Sequence, residues 1–174
     1  MVQTIRPVIA LVAVCAVASV LLAGVHQMTA PLAAANAEQR AQEVYAALMP
    51  KATSFDPVEC DVDGCVSALE AHDASNQLVG HVIVAFAKGY GGDVPIAVAF
   101  DTSGTVAGIS AMSNSETPGL GPRIADDSYI GQYVGLPAQE TDEQSIDFIS
   151  GATISSKAAL KAFNTAVEAY EEVR

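Results

Sequence analysis

Positively charged side chains are scarce in this sequence. Eight Lys and Arg residues stand against 20 Asp and Glu residues, and the formal net charge at pH 7 is −12. Seven of the basic and all 20 of the acidic residues follow Val25, so that part of the chain carries −13. Such a charge excludes nucleic acid and anionic lipid headgroups as good partners. It suits a partner with a basic face, and equally well a surface that is simply solvated.

Cysteine is also scarce, with three residues in 174. Cys15 lies inside an apolar run, and only Cys60 and Cys65 follow it. A zinc or iron–sulfur centre built on that pair would need two more ligands, and the chain has no further cysteine there to supply them. In an oxidising compartment the pair most simply closes a small loop. We therefore expect a disulfide between Cys60 and Cys65.

Charge is absent from residues 8–25, a run long enough to span a bilayer as a helix. Arg6 precedes the run and the next basic residue is Arg40, so the positive-inside rule predicts a cytoplasmic N-terminus and an extracytoplasmic domain. The small residues on either side of Asn36 also fit a signal-peptide cleavage site. Because the run is longer than the usual apolar core of a signal peptide, we favour an uncleaved, single-pass anchor in the cell (inner) membrane.

The rest of the chain has room for one domain with a sizeable core. Residues 1–30 are predicted to form the cytoplasmic stub, the transmembrane helix and a link, and residues 31–174 the extracytoplasmic domain. After a short link that contains Pro31, a helix is predicted from Asn36 to about Met49. This helix is expected to pack on a sheet.

Strand-like alternation follows in three runs, after the polar, turn-rich residues 54–64. The runs are residues 78–87, the run that contains Ile96, Val98 and Phe100, and residues 105–111. Three adjacent strands indicate an antiparallel meander. Apolar side chains then recur with the period of a helix from Leu160 to Tyr170. The expected fold class is α+β, a mainly antiparallel sheet with packed helices.

Thr153 lies where this last helix begins. Ser150, Gly151 and Ala152 precede it and leave room for another molecule to approach its hydroxyl. The first N–H groups of a helix lack internal partners and the helix dipole makes this end electropositive, so a phosphate is well placed there. The alternative is that Ser150 or Thr153 only caps the helix.

Residues 147–153, Asp-Phe-Ile-Ser-Gly-Ala-Thr, resemble the flavinylation signal of the Rnf G and Nqr C family of FMN-binding domains. Residues 116–121 and 89–92 resemble two further signatures of that family, in the same order. In this family a flavin transferase cleaves FAD with Mg²⁺ and leaves FMN on the last threonine as a phosphoester. The resemblance implies covalent FMN on Thr153, with Ser150, Gly151 and Ala152 beside it, and recognition of Asp147 by the transferase.

Residues 116–121, Glu-Thr-Pro-Gly-Leu-Gly, are predicted to contain a type II turn, because proline at 118 fixes the first central φ and glycine at 119 accepts a positive φ at the second. Without the resemblance, this would be an ordinary solvated turn. The resemblance implies that it forms one wall of a flavin site. The implied roles are apolar contact with the ring by Leu120, polar contact by Thr117 and the loop amides including Gly119 and Gly121, and support of the loop by Glu116.

The function implied by the resemblance is electron transfer by the G subunit of an Rnf-type ion-translocating ferredoxin:NAD⁺ oxidoreductase. Its partners would be the other membrane subunits, with the flavin transferase during maturation. The chain has no convincing nucleophile–base pair and no second nucleotide fingerprint, so no turnover is expected from it alone. Three alternatives remain: a freestanding membrane-anchored flavoprotein, an Nqr C-like subunit of a Na⁺-translocating quinone reductase, and a binding module without flavin.

Overall fold

The protein is represented by a computed structural model that describes residues 2–112 and 124–174. It divides into two compact units, Met1–Ala41 and Gln42–Arg174.

The first unit is helical throughout its described residues and belongs to α1 (Val2–Leu48). The expected link at Pro31 is helical instead. A proline removes one hydrogen bond from a helix, but the alanines that surround Pro31 are the strongest helix formers. Within α1, the stretch Val14–Leu48 is long enough to cross a membrane and contains an 18-residue window with a mean hydropathy of 1.4. By length and composition, this stretch is a candidate membrane span, in agreement with the expected anchor.

The second unit is built on one antiparallel sheet in which every strand pairs with its neighbour in sequence. The strands are β1 (Ser54–Val58), β2 (Cys65–His72), β3 (Leu78–Lys88), β4 (Asp93–Asp101) and β5 (Val106–Ala111). The predicted meander is therefore confirmed for β3, β4 and β5. The sequence did not predict β1 and β2, which precede this meander. β1 lies within residues 54–64, which were described only as polar and turn-rich.

In the described part of the chain after the sheet, residues 124–174, there are two α-helices. The short α2 (Asp127–Ile130) continues into a 3-10 turn at Gly131–Tyr133, and a second 3-10 turn lies at Glu143–Ser145. The long α3 (Thr153–Val173) packs on the face of the sheet formed by β2, β3 and β4. The larger core lies between α3 and this face. Its most deeply buried large side chains include Ile83, Ile96, Val98, Phe100, Tyr133 and Phe163.

The opposite face of the sheet is covered by the end of α1 that belongs to the second unit. Leu48 and Met49 pack there with Val82 and Ala99. The approach is close, because a Cβ added to Gly108 on β5 would lie 3.0 Å from Cδ2 of Leu48. The predicted packing of this helix on the sheet is confirmed, and both faces of the central strands are buried.

The expected disulfide is not formed: Cys60 and Cys65 are free thiols in the structure. The Cys60 thiol donates to the Glu172 carboxylate on α3 at 3.9 Å, and the backbone N–H of Asp61 donates to the same carboxylate at 3.3 Å. Burial, together with a hydrogen bond to Cys60, raises the pKa of the Cys65 thiol to about 12. The surroundings of Cys65 therefore stabilise its protonated thiol, and the spacing of the two cysteines did not show that the acidic Glu172 lies next to them.

His81 is a core residue on β3 and is 4% exposed. Its ring packs edge-on against Tyr170 with centroids 5.5 Å apart, and its buried Nδ1 atom has no hydrogen-bond partner among the described residues. Burial lowers the pKa of His81, and nearby His72 acts in the same direction while Glu70 opposes it. The imidazole is therefore neutral in the folded protein at neutral pH.

The buried His81 predicts a pH-dependent stability. The unfolded chain takes up a proton at this residue below its ordinary pKa of about 6.5, whereas the folded protein resists it. The free energy of unfolding should therefore fall as the pH drops from about 7.5 through that value. Denaturant unfolding over this range would show a weaker decline for His81→Phe than for the parent. His26→Gln is the control, because His26 is exposed, and its free energy of unfolding should decline with pH as in the parent. If the decline in His81→Phe also equals that of the parent, His81 is not the residue that causes it.

Candidate functional site

The helix α3 begins at Thr153, and its first turn is open. Thr153 and Ile154 are exposed, and the N-cap residue Ala152 has no side chain that accepts a hydrogen bond from the helix. The Thr153 hydroxyl has no partner among the described residues, and the first turn contains no acidic side chain. The N-cap position itself is occupied by Ala152, not by Ser150 or Thr153.

A tight turn leads into this helix. The N–H of Ala152 donates to the carbonyl of Ile149 at 3.0 Å, and Gly151 adopts a φ of +82°, which a residue with a Cβ rarely adopts. Ser156, fully buried one turn inside α3, accepts a hydrogen bond from the Ile149 N–H at its Oγ atom, at 3.2 Å. The small residues seen in the sequence thus form a defined turn, which presents the Thr153 hydroxyl at the end of the helix.

Two buried tyrosines that precede α3 in the sequence contact its first turns. The hydroxyl of Tyr129 donates to the carbonyl of Ser156 at 2.9 Å and lies 2.9 Å from the hydroxyl of Tyr133. The Tyr133 ring packs against Phe163 of α3 with centroids 4.9 Å apart. Burial raises the pKa of both tyrosines, so both stay protonated and can donate. The first turns of α3 are therefore fixed to α2 and the 3-10 turn that follows it.

The side chain of Gln132 holds the strand-like residues that precede the turn. The N–H of Asp147 donates to Oε1 of Gln132 at 2.7 Å, and Nε2 of Gln132 donates to the carbonyl of Asp147 at 3.2 Å. These two hydrogen bonds are the ones that the backbone of a neighbouring β-strand would make to Asp147. The backbone of Asp147 is fixed while its side chain stays exposed, beside a shallow depression of about 230 Å³ that Ile149 also lines.

A second amide clamp lies farther from Thr153. The N–H of Thr141 donates to Oδ1 of Asn164, and Nδ2 of Asn164 donates to the carbonyl of Thr141, both at 3.0 Å. Between the two clamps, Lys157 pairs with Glu143 at 2.7 Å. The segment from Gln139 to Asp147 is therefore fastened along the side of α3 at several points.

The direction in which α3 runs across the sheet shows which end of the sheet lies nearest to Thr153. Tyr170, near the end of α3, stacks on Phe100 at the end of β4. Thr165, earlier in the helix, lies against Gly64, whose carbonyl accepts from Phe86 near the end of β3. The start of α3 is therefore directed toward the end of the sheet where β3 turns into β4.

The connection between β3 and β4 at that end is residues 89–92, the glycine-rich motif, closed by a hydrogen bond of 2.8 Å from the Gly89 N–H to the Gly92 carbonyl. The end of β5 lies there as well, since the N–H of Met112 donates to the carbonyl of Pro95 at 2.9 Å. Residues 116–121 lie outside the described residues, and with them Glu116, Thr117, Gly119, Leu120 and Gly121.

The residues present at the start of α3 fit a phosphate group. An exposed hydroxyl, an N-cap without a competing side chain, and a first turn free of acidic residues leave the electropositive helix end open to an anion. Thr153 would hold the phosphate, with Ser150, Gly151 and Ala152 around it. The sequence patterns did not identify the supporting residues Tyr129, Gln132 and Ser156, because these residues lie outside the motif at 147–153.

Comparisons with known proteins show which family the chain resembles. Residues 89–168 match the family model of the FMN-binding domain. The chain is 36% identical to the G subunit of the ion-translocating oxidoreductase complex of Methanosarcina acetivorans, over 94% of this chain and 92% of that protein. It is 32% identical to the G subunit of the proton-translocating ferredoxin:NAD(+) oxidoreductase complex of Clostridium ljungdahlii, over 88% and 84% of the two chains.

The crystal structure of Shewanella oneidensis NqrC shares the fold, with a TM-score of 0.50 at 18% identity over 71% of this chain and 70% of that one. The expected α+β class is confirmed. An FMN-binding domain, and relatives that match nearly the whole chain, together identify the family. The chain belongs to the family of G subunits of ion-translocating oxidoreductase complexes.

Proposed function

We propose that this chain is the electron-transferring G subunit of an Rnf-type ion-translocating ferredoxin:NAD⁺ oxidoreductase and carries FMN on Thr153 through a phosphoester. The observation that supports the attachment site is the exposed Thr153 hydroxyl at the uncapped start of α3. FMN, when bound, accepts and releases electrons singly or in pairs. The names of the relatives support the other subunits of such a complex as partners.

The chain's own residues contribute attachment and placement. The start of α3 favours the negative charge of a phosphate, and the turn at Gly151 leads directly into the exposed Thr153. A covalent bond retains the flavin outside the membrane, where no cytoplasmic pool could replace it. Maturation would require a flavin transferase that uses FAD and Mg²⁺, with Asp147 as part of the surface it recognises.

Intact-mass spectrometry combined with visible absorption tests this function directly. The full chain, coexpressed with a flavin transferase, should gain the mass of one FMN residue and stay yellow after denaturation. Expression without the transferase is the matched control and should give the unmodified mass. A colourless protein of unmodified mass from both cultures would contradict the proposal.

The orientation in the membrane forms part of the same proposal. With Arg6 before the apolar run and no basic residue until Arg40, we infer a cytoplasmic N-terminus and an extracytoplasmic domain. Protease added outside spheroplasts should then digest the domain, and the mature mass should include residues 1–37. Protection of the domain in intact spheroplasts, with digestion only after lysis, would contradict this orientation.

The flavin ring is proposed to rest against Leu120, with Thr117 at its polar edge and Glu116, Gly119 and Gly121 shaping the loop. Leu120→Ala should then leave FMN attached in full stoichiometry and shift its visible spectrum and redox potential. Loss of one buried leucine contact costs about 1–3 kcal/mol, enough to expose the ring to water. Should the spectrum, potential and electron-transfer rate all match the parent, the ring lies against another surface.

A further inference from the structure

The turn that carries Thr153 is fastened from both sides by one short segment, residues 127–133. On the N-terminal side of the turn, Gln132 makes two hydrogen bonds to the backbone of Asp147, at 2.7 and 3.2 Å. On the C-terminal side, the hydroxyl of Tyr129 donates to the carbonyl of Ser156 at 2.9 Å. Neither side chain lies in the motif at residues 147–153, and neither was visible as a functional residue in the sequence.

We propose that Gln132 and Tyr129 are positioning residues for the covalent modification of Thr153, an inference that rests on the proposed function. The connection between Ile146 and α3 forms no strand with any neighbour among residues 2–112 and 124–174. The Gln132 amide supplies the two backbone bonds that a neighbouring strand would supply, and Tyr129 fixes the first turn of the helix. Together they hold the backbone on both sides of Thr153, so its hydroxyl is presented in one orientation before any enzyme binds.

Ordering of this turn matters because of the reaction at Thr153. The hydroxyl oxygen of Thr153 forms a bond to the FMN phosphorus of FAD, the pyrophosphate P–O bond breaks, AMP leaves, and the hydroxyl proton passes to the leaving phosphate or to solvent. No oxidation or reduction is involved. Such a displacement requires the attacking oxygen in line with the bond that breaks, and a turn ordered in advance lowers the cost of binding.

The second amide clamp provides an internal control. Asn164 holds the backbone of Thr141 with two bonds of 3.0 Å, the same arrangement that Gln132 makes with Asp147. It fastens the same connecting segment to α3, but twelve residues before Thr153 rather than six. A clamp with only a structural role would have similar consequences at either place. A positioning role predicts that loss of the Gln132 clamp alone affects the modification of Thr153.

The experiment is steady-state flavinylation of the full-length apo chain in detergent by a purified flavin transferase with FAD and Mg²⁺, with the concentration of the chain varied. The variants are Gln132→Met and Asn164→Met, which keep an unbranched stem but remove the amide, and Tyr129→Phe, which keeps the ring. Thermal unfolding of each variant gives the folded fraction at the assay temperature. Only folded chain is counted as substrate, so that destabilisation by itself does not change KM.

We expect Gln132→Met to raise KM about tenfold, the factor for one to two lost hydrogen bonds, with kcat within about twofold of the parent. Tyr129→Phe should raise KM about fivefold, and Asn164→Met should leave both constants unchanged. Parental KM in Gln132→Met, or an equal rise in Asn164→Met, would overturn the positioning role. If Thr153→Ala is flavinylated at the parental rate, the proposed attachment site itself is wrong, whatever the behaviour of Gln132.

Discussion

Thr153→Ala is expected to give a folded protein that carries no covalently bound FMN. The phosphoester requires a hydroxyl at the start of α3, and alanine removes that hydroxyl without adding bulk. Thr153 is exposed and alanine is a strong helix former, so the free energy of unfolding should change by no more than about 0.5 kcal/mol. Intact mass and the colour of the denatured protein would measure the loss.

Two variants serve as controls for this result. Thr153→Ser keeps a hydroxyl at the same backbone position and should retain some FMN. Ser150→Ala alters a neighbour of the attachment residue and should have a milder effect than Thr153→Ala. Full retention of covalent FMN in Thr153→Ala would place the attachment at another residue and would leave the exposed start of α3 without the proposed role.

Phe163→Ala should cause a large loss of stability. Phe163 is fully buried at the centre of the larger core, and its ring packs on Tyr133 at 4.9 Å. Truncation of a buried phenylalanine costs about 3–5 kcal/mol, a large share of the about 5–15 kcal/mol that stabilises a typical domain. Denaturant unfolding of the apo chain in detergent, followed by near-UV circular dichroism of the tyrosines, would measure the change.

Lys161→Ala is the matched control, since residue 161 is exposed on the same helix and alanine keeps the helix propensity. Its free energy of unfolding should stay within about 0.5 kcal/mol of the parent. A loss below about 1 kcal/mol for Phe163→Ala would mean that α3 does not pack on the sheet as described.

The central strands show how far alternation in the sequence determines the fold. The runs around Val82 and Val98 correctly predicted β3 and β4. Alternation marks one buried face, yet Val82 and Ile83 are both fully buried, because α3 covers one face and the end of α1 the other. The first strand was missed because its polar side chains are mostly exposed at the edge of the sheet.

Some residues of the candidate site could likewise be predicted from the sequence, and others could not. Thr153 and the small residues before it could be recognised because the motif is continuous in sequence. Gln132 contacts Asp147 across 15 residues, and Tyr129 contacts Ser156 across 27. Contacts over such separations arise only when the tertiary fold brings α2 beside α3. For the same reason, the spacing of Cys60 and Cys65 could not show that Glu172 of α3 lies next to their thiols.

The two edges of the sheet have a consequence for how this protein can assemble. β1 is five residues long, contains Pro57, which cannot donate to a further strand, and exposes Asp56. At the other edge, the first residue of β5 is already paired, since Val106 exchanges hydrogen bonds with Gly135 and Leu136. Both features oppose strand addition, the common route to self-aggregation of exposed sheets, at β1 and at the start of β5. We therefore expect that association with other subunits does not extend the sheet at β1.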